Sequence, residues 1–224
     1  MKGMTEAHLA VLRRHMVELI AIQADLAEDE LGKPALDARV LDAMGRVPRH
    51  LFVPEPLAPL AYHDTPLPIG FGKTISQPFV VAVMTDLLDP RPGERVLEVG
   101  TGLGYQAALL AELAGEVRTV EVVEEFAAAA EARFLQLGYA NVEVRVGDGS
   151  KGWAERAPFD RIMVTAAARA LPPALLAQLR PGGRMVLPTG AGEAQRLTVV
   201  DKGADGAVET RELMDVRFTP LETA

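Results

Sequence analysis

Three acidic side chains, Glu98, Glu121 and Asp148, each stand in or just after one of three consecutive predicted β-strands. The carboxyl ends of neighbouring parallel strands meet at one edge of a sheet, so we expect the three carboxylates to line one crevice. Together they would repel a pyrophosphate and favour a ligand that carries positive charge. The alternative for each acid taken singly is that it caps a turn.

A glycine-rich turn follows the first of these strands. Gly100-Thr101-Gly102-Leu103-Gly104 lies between the strand pattern RVLEV and the helical pattern QAALLAELA. A strand, a glycine turn and a helix form the nucleotide-binding crossover of a doubly wound sheet, in which bare backbone approaches the ligand. Tyr105 occupies the position where a dinucleotide fingerprint requires a small residue, and no Gly-Lys-Ser/Thr follows to grip a phosphate. The turn therefore indicates a nucleoside without phosphates.

Glu121 sharpens this prediction because it ends the second strand. A carboxylate at that position can accept hydrogen bonds from both hydroxyl groups of a ribose. S-adenosylmethionine is a phosphate-free nucleoside whose sulfonium and amino groups are positively charged, and it suits an acidic crevice. We therefore predict S-adenosylmethionine as the cofactor.

A second stretch whose residues could take part in a reaction precedes the first of these strands. Residues 69–78, IGFGKTISQP, combine two glycines, two hydroxyl side chains and a proline ahead of a helical pattern at residues 79–88. We predict a loop that enters this helix at its first turn. Ser76 or Gln77 would lie at the cap, beside free backbone N–H groups that attract a carboxylate. The alternative is that Ser76 only caps the helix.

The N-terminal part of the chain would bring this loop to the crevice. Residues 5 to about 27 have an apolar stripe at helical spacing, and residues 36–45 suggest a second, shorter helix. We expect both helices to cover the sheet edge or the mouth of the site, although the stripe of the first would equally serve a partner. Residues 47–68 carry six prolines together with apolar residues that need burial. They form either an ordered binding lid or a linker.

Strand and helix patterns alternate along the rest of the chain. After residues 95–99, strands are predicted at residues 117–122, 142–146, 159–165, 184–187, 196–200 and 210–218, with helices at 124–137 and 172–179. This alternation predicts an α/β fold with a doubly wound, mostly parallel, Rossmann-like sheet and an antiparallel C-terminal hairpin at one edge. We divide the chain into residues 1–89, with the N-terminal helices and the substrate loop, and residues 90–224, the cofactor-binding core, within one compact unit.

The composition narrows the possible functions. The 224 residues carry a net charge of −8 without a block of basic residues, which argues against nucleic-acid binding. The absence of cysteine excludes disulfides and thiolate chemistry, and the four histidines do not suggest a metal site. No apolar run reaches membrane-spanning length, and the N-terminus is unlike a signal peptide. We expect a cytoplasmic protein that binds neither a membrane nor a metal, and the oligomeric state stays open.

With these residues in place, the chain resembles the protein-L-isoaspartate (D-aspartate) O-methyltransferase family from about residue 47 to residue 190. Glycine turns with acidic strand ends occur in S-adenosylmethionine-dependent methyltransferases generally, whereas Thr74-Ile75-Ser76-Gln77-Pro78 is specific to this family. The other matching segments are Val47-Pro48-Arg49, Phe52-Val53-Pro54, Ala61-Tyr62-His63-Asp64, Leu97-Glu98-Val99-Gly100-Thr101-Gly102, Gly104-Tyr105-Gln106-Ala107-Ala108, Gly147-Asp148-Gly149, Pro158-Phe159-Asp160, Val164-Thr165-Ala166-Ala167 and Gly182-Gly183-Arg184.

The resemblance implies methyl transfer from S-adenosylmethionine to the free α-carboxylate of L-isoaspartyl residues in damaged proteins, which begins their repair. D-aspartyl residues are a further acceptor to consider, and S-adenosyl-L-homocysteine is the product. The resemblance implies that Ser76 is catalytic, that Glu121 holds the ribose and that Asp148 holds the adenine. The remaining cofactor residues would be Glu98, Gly100, Thr101, Gly102, Gly104, Tyr105, Gln106 and Gly149. The acceptor site would include Tyr62, His63, Asp64, Ile69, Thr74 and Ile75, with loop packing as the alternative for His63.

The sequence departs from the family pattern in three places. Lys73 replaces a usual Gln, Leu103 replaces a common Ser, and residues 30–37 lack the usual Arg-Gly-Ile run. Lys73 would either attract a carboxylate or point to solvent. Two other functions stay open: a carboxyl methyltransferase for one dedicated peptide or small molecule, and a protein that binds S-adenosylmethionine without catalysis.

Overall fold

A computed structural model describes residues 5–223, in which helices surround a seven-stranded sheet. The helices are α1 (Glu6–Leu26), α2 (Glu28–Leu31), α3 (Ala38–Arg46), α4 (Pro78–Leu88), α5 (Tyr105–Leu113), α6 (Glu124–Leu137) and α7 (Pro173–Gln178). The strands are β1 (Leu67–Gly70), β2 (Lys73–Ile75), β3 (Arg95–Val99), β4 (Glu116–Glu121), β5 (Val142–Val146), β6 (Phe159–Val164), β7 (Leu179–Ala191), β8 (Ala194–Lys202) and β9 (Val208–Asp215).

The large sheet has the strand order β5-β4-β3-β6-β7-β8-β9. Its first five strands are parallel, and β8 and β9 continue it in antiparallel pairing. This order places β3 between β4 and β6. From β3 the chain adds β4 and β5 on one side and then crosses back to add β6 to β9 on the other, so the direction of winding reverses at β3. Ligands of doubly wound sheets bind at such a switch point, beyond the carboxyl ends of the strands. The predicted α/β fold with an antiparallel C-terminal edge is confirmed.

Two hydrophobic cores cover the two faces of the sheet. Val96 of β3 belongs to the larger core, which also contains side chains of α1 and of α3 to α6. Its neighbour Leu97 belongs to the smaller core, together with Trp153 and with Leu175, which lies on α7. Successive side chains of a strand point to opposite faces, so a central strand must be apolar on both sides. In residues 5–223, no helix is both long enough and apolar enough to span a bilayer.

The N-terminal helix is α1, which ends one residue before the predicted boundary. Thr5 caps it, because its hydroxyl oxygen accepts a hydrogen bond from the backbone N–H of His8 at 3.4 Å. The proline-rich segment contains two 3₁₀ helices, Arg49–Phe52 and Glu55–Leu60, rather than an irregular loop. It buries Phe52 completely, so it is part of the folded body.

Residues 67–75 form a β-hairpin, β1 paired with β2, so the predicted loop was wrong as far as Ile75. The predicted entry into a helix at its first turn is confirmed, because α4 begins at Pro78 with Gln77 as its cap residue. The hairpin turns at Gly70, Phe71 and Gly72, and all three have a positive φ. The two glycines adopt this backbone readily, and they flank the non-glycine residue that must also adopt it. Phe71 packs edge-on against Phe126 of α6, with ring centroids 5.3 Å apart, which holds the turn against the body of the protein.

Gly104 illustrates how tightly the glycine turn packs. It has a φ of +99°, and a Cβ atom there would lie 2.7 Å from Cζ of Phe134. We predict that Gly104→Ala lowers the free energy of unfolding by about 2 kcal/mol or more. Gly45→Ala in α3 is the matched control, because Gly45 has open space around it and a Cβ there should stabilise the helix by up to about 1 kcal/mol. Urea unfolding of the three proteins measures both changes, and equal losses for the two variants would contradict the packing argument.

Candidate active site

A crevice opens at the carboxyl ends of β3, β4 and β6, beneath the β1–β2 hairpin. Its floor is formed by strand ends and the glycine turn, and its upper wall by the hairpin and the C-terminal segment. The lining residues are Ile69, Lys73, Thr74, Val99, Gly100, Gly102, Glu121, Val122, Phe126, Gly149, Thr165, Ala166, Thr219, Pro220, Leu221 and Glu222. The crevice lies at the switch point of the sheet, as its strand order requires.

Gly100 brings bare backbone to the floor of the crevice. The hydroxyl of Thr165, at the end of β6, donates a hydrogen bond to the carbonyl oxygen of Gly100 at 2.7 Å. A Cβ atom on Gly100 would lie 2.3 Å from that hydroxyl oxygen, and a Cβ on Gly149 would lie 2.3 Å from Cγ1 of Val99. Both positions therefore exclude a side chain, which keeps the floor flat and open to a ligand.

Glu121 lies at the crevice as predicted, with its carboxylate held in place by backbone. Oε2 accepts a hydrogen bond from the N–H of Gly102 at 2.7 Å, and Oε1 accepts one from the N–H of Val123 at 3.0 Å. A carboxylate oxygen can accept a second hydrogen bond, so each oxygen can also receive one hydroxyl of a ribose. The carboxylate is thus oriented before a ligand binds.

Glu98 does not line the crevice, contrary to our expectation. Its side chain is completely buried, and the hydroxyl of Thr119 on β4 donates a hydrogen bond to Oε2. Burial raises the pKa of Glu98 to about 8, so the carboxyl group is mostly neutral at pH 7. The reason is the pleat of β3, because Val99 faces the crevice and its neighbour must point elsewhere. Of the three acids expected to line the crevice, Glu121 is among its lining residues, whereas Glu98 and Asp148 are not.

The carboxylate of Asp148 also has hydrogen-bond partners within the protein. Oδ1 accepts hydrogen bonds from the backbone N–H of Ser150 at 2.9 Å and from its hydroxyl at 2.6 Å. These bonds, followed by the ammonium group of Lys151, hold the pKa of Asp148 below its ordinary value. Asp148 thus caps the short 3₁₀ helix that starts at Gly149, and its contact with an adenine stays a prediction.

Ser76 stands in a wall that separates two spaces. An inner space, continuous with the glycine turn, is lined by the predicted residues Ile69, Thr74, Ile75, Ser76, Gly100, Thr101, Gly102, Tyr105 and Gln106. An outer groove is lined by residues of the hairpin region and of the segment after β9, including Pro66, Gln77, Val80, Val216 and Phe218. Thr74, Ser76 and Thr165 line both spaces. These three residues therefore lie between the inner space and the outer groove.

Three residues expected at the acceptor site line neither the inner space nor the outer groove. Asp64 accepts hydrogen bonds from the N–H of Phe79 at 2.8 Å and from the side-chain amides of Gln77 and Gln23. Tyr62 is buried, with its hydroxyl 2.8 Å from Nδ1 of His50, and His63 is exposed. The N-terminus of α4, where we expected an acceptor carboxylate, already holds the carboxylate of Asp64.

The C-terminal segment is part of the crevice, which the sequence reasoning missed. The N–H of Ala167 donates to the carbonyl oxygen of Thr219, and the N–H of Leu221 donates to that of Ala167, both at 2.8 Å. Lys73 of β2 forms an ion pair with Glu222, so it neither points freely to solvent nor stands unpaired in the crevice. Thr165 was also missed, although its place at the end of a predicted strand was a usable signal.

The donor set fits a nucleoside that carries no phosphate. The crevice offers backbone groups of the glycine turn, the carboxylate of Glu121 and apolar walls from Ile69, Phe126 and Leu221. The cation that faces it, Lys73, is neutralised by Glu222. In residues 5–223, no three His, Asp or Glu side chains are grouped so that they would hold a metal ion.

Comparisons with known proteins agree with this geometry. The model of the protein-L-isoaspartate(D-aspartate) O-methyltransferase family matches residues 25–224. The chain is 53% identical over 221 residues to protein-L-isoaspartate O-methyltransferase 1 of Polaromonas sp., an alignment that covers 99% of this chain and 94% of the relative. It is 61% identical over 187 residues to protein-L-isoaspartate O-methyltransferase of Anaeromyxobacter dehalogenans, covering 83% and 90% of the two chains.

Two solved structures share the fold over most of the chain. One, a protein-L-isoaspartate O-methyltransferase, has a TM-score of 0.78 and 25% identity, and the match covers 93% of this chain but 65% of that longer one. The other, from Plasmodium falciparum, is assigned to the same enzyme class and was solved in complex with S-adenosyl-L-homocysteine. Its TM-score is 0.77 at 23% identity, with coverage of 94% and 98%.

The burial of Glu98 predicts how the stability of the protein depends on pH. In the folded chain its pKa is raised to about 8, whereas in the unfolded chain it returns to about 4.5. Between these values the folded chain binds a proton that the unfolded chain has lost, so this group lowers the free energy of unfolding as the pH rises. Glu98→Gln should therefore gain stability relative to the parent between pH 5 and pH 8, by at most roughly 1.4 kcal/mol per pH unit.

Urea unfolding at pH 5, 6.5 and 8 measures this difference. Glu125→Gln is the control, because Glu125 is exposed in the first turn of α6 and its variant should follow the parent at all three pH values. A Glu98→Gln difference that does not change with pH would show that Glu98 is ionised in the folded chain.

Proposed function

The chain belongs to the protein-L-isoaspartate (D-aspartate) O-methyltransferase family, and from that premise we propose the assignment of its site residues and acceptor. The protein transfers the methyl group of S-adenosylmethionine to the free α-carboxylate of L-isoaspartyl residues in damaged proteins. The observation that carries the residue assignment is the wall at Ser76, with the inner space beside the glycine turn on one side and the outer groove on the other. The cofactor enters the crevice, and the peptide acceptor lies in the groove.

The chemistry requires alignment more than acid or base catalysis. Bound S-adenosylmethionine supplies a methyl group attached to a positively charged sulfur atom. The acceptor carboxylate is ionised at neutral pH, so no side chain has to remove a proton before attack. A bond forms between a carboxylate oxygen and the methyl carbon as the bond from that carbon to sulfur breaks. The main task of the protein is therefore to hold the reacting atoms in line and away from water.

Ser76 is suited to orient the acceptor. Within residues 5–223, its hydroxyl group has no hydrogen-bond partner, whereas the Thr165 hydroxyl donates to the carbonyl oxygens of Val99 and Gly100. We assign to Ser76 a hydrogen bond to the acceptor carboxylate, with Thr74 beside it. Glu121 accepts the ribose hydroxyls, and the backbone of Gly100 and Gly102 forms the floor beneath the cofactor.

The function is tested with a pair of peptides. One contains a single L-isoaspartyl residue and the other a normal L-aspartyl residue at the same position, and both are incubated with the protein and methyl-labelled S-adenosylmethionine. We expect a base-labile methyl ester on the isoaspartyl peptide alone. Normal cofactor binding without transfer to either peptide would support a non-catalytic binder or a dedicated acceptor, and equal transfer to both peptides would contradict repair specificity.

Two variants separate the assigned roles of Ser76 and Glu121. Ser76→Ala should lower kcat by about 10- to 100-fold, as the loss of one charge-assisted hydrogen bond implies, while cofactor affinity stays near that of the parent. Glu121→Ala should weaken S-adenosylmethionine binding by about tenfold or more, because it removes the acceptor for the ribose hydroxyls.

Calorimetry with S-adenosyl-L-homocysteine and initial rates with the isoaspartyl peptide measure the two effects. Glu116→Ala is the matched control, since Glu116 begins the strand that Glu121 ends and is half-exposed far from the crevice. Unchanged kcat in Ser76→Ala, or normal affinity in Glu121→Ala, would remove that residue from its assigned role.

A further inference from the structure

Arg49 is a completely buried cation without a carboxylate partner among residues 5–223. Its Nε donates a hydrogen bond to the carbonyl oxygen of Ala61 at 2.8 Å, and its Nη2 donates one to the carbonyl oxygen of Ser76 at 2.6 Å. The guanidinium carbon lies 4.8 Å from the centre of the Tyr105 ring. Nη1 has no hydrogen-bond partner in the described part of the chain.

Burying a charged group of this kind in a protein interior is unfavourable in free energy. Removing a charge from water costs several kcal/mol unless an opposite charge or a full set of hydrogen bonds compensates it. Burial lowers the pKa of Arg49 to about 10, which leaves the side chain charged at neutral pH. An apolar residue of similar size would normally fill the same space more favourably. The cost points to a task that an apolar side chain cannot perform.

The contacts of Arg49 join three segments that must keep a fixed geometry during methyl transfer. Ala61 follows the second 3₁₀ helix of the proline-rich segment, Ser76 stands in the wall between the inner space and the outer groove, and Tyr105 is the first residue of α5, directly after the glycine turn. Asp64 accepts hydrogen bonds from the side-chain amide of Gln77 and from the N–H of Phe79, which follow Ser76 in the chain. The carbonyl group of Ser76 is thus held by Arg49, and the residues after it are held by Asp64.

We propose that Arg49 is a positioning residue of the methyl-transfer reaction, which sets the place of the Ser76 hydroxyl relative to the cofactor turn. This inference rests on the proposed function, because it assigns Arg49 a role in that reaction. The planar guanidinium is required, since two of its nitrogens donate to two carbonyl oxygens while its carbon lies over the Tyr105 ring. A lysine ammonium at the same place keeps the charge but cannot reproduce the two donors that the guanidinium holds in a fixed geometry.

The first test compares Arg49→Lys with the parent on the isoaspartyl peptide. We expect kcat to fall by about tenfold or more, because small displacements of reacting groups have large effects on rate. Affinity for S-adenosyl-L-homocysteine should change by less than about threefold. Rates are expressed per chain that binds S-adenosyl-L-homocysteine in calorimetry, so that a misfolded fraction does not count as a slow enzyme. Arg49→Met, which removes the charge as well, should be at least as slow.

Arg161→Lys is the matched control, because it makes the same replacement at a partly buried arginine that lies away from the site. Arg161 pairs with Glu94 at 3.1 Å near the start of β6, at the edge of the sheet opposite the crevice. Its replacement by lysine should leave kcat unchanged even if the melting temperature falls. A purely structural role for Arg49 predicts the same behaviour for Arg49→Lys, with lower stability and a normal rate per competent chain.

A double-mutant cycle with Ser76→Ala gives the decisive readout. If Arg49 acts by placing the Ser76 hydroxyl, Arg49→Lys should slow the Ser76→Ala enzyme by less than about threefold, so the two effects are not additive. Additive effects, or a normal kcat in Arg49→Lys, would overturn the inference while leaving the proposed function intact. An inactive parent enzyme would overturn the proposed function and this inference together.

Discussion

The close approach of Gly100 to Thr165 is the contact on which the site depends. It joins the ends of β3 and β6, the two strands at the centre of the sheet, and it leaves no room for a Cβ atom on Gly100. The Thr165 hydroxyl lies 2.7 Å from the carbonyl oxygen of Gly100 and 3.0 Å from that of Val99, the last residue of β3. Because Thr165 lines both the crevice and the outer groove, this contact connects the walls of the two spaces.

Local patterns predicted the floor of the site and most of the fold. The strand at residues 95–99, the glycine turn and Glu121 all follow from signals within a few residues of one another, and the structure places Glu121 at the crevice. Glu98 was misplaced because a position near a strand end does not by itself determine which way the side chain points. The pleat decides which way a side chain points, and the residue before Val99 must face the opposite side.

The walls of the site depend on contacts that no local pattern contains. Lys73 meets Glu222 across 149 positions in the chain, and Gln23 meets Asp64 across 41. The sequence shows that these residues are polar, but their partners are set by how the N-terminal helices and the C-terminal segment pack against the sheet. For the same reason Tyr62 and Asp64 were assigned to the acceptor, although in the structure Tyr62 pairs with His50 and Asp64 accepts from the first turn of α4.

Under the proposed assignment, the arrangement around Ser76 holds a carboxylate and still lets it react. Asp64 accepts from the first turn of α4, and the hydroxyl hydrogen of Thr165 is committed to the backbone, so the proposal leaves the hydroxyls of Ser76 and Thr74 to bind the acceptor. A direct ion pair with Arg49 would stabilise the carboxylate most before attack, when its charge is greatest, and would oppose a step that neutralises that charge. Placing Arg49 behind the Ser76 carbonyl avoids this pairing. A neutral hydroxyl can then orient one carboxylate oxygen while the other lone pairs stay available for the methyl carbon.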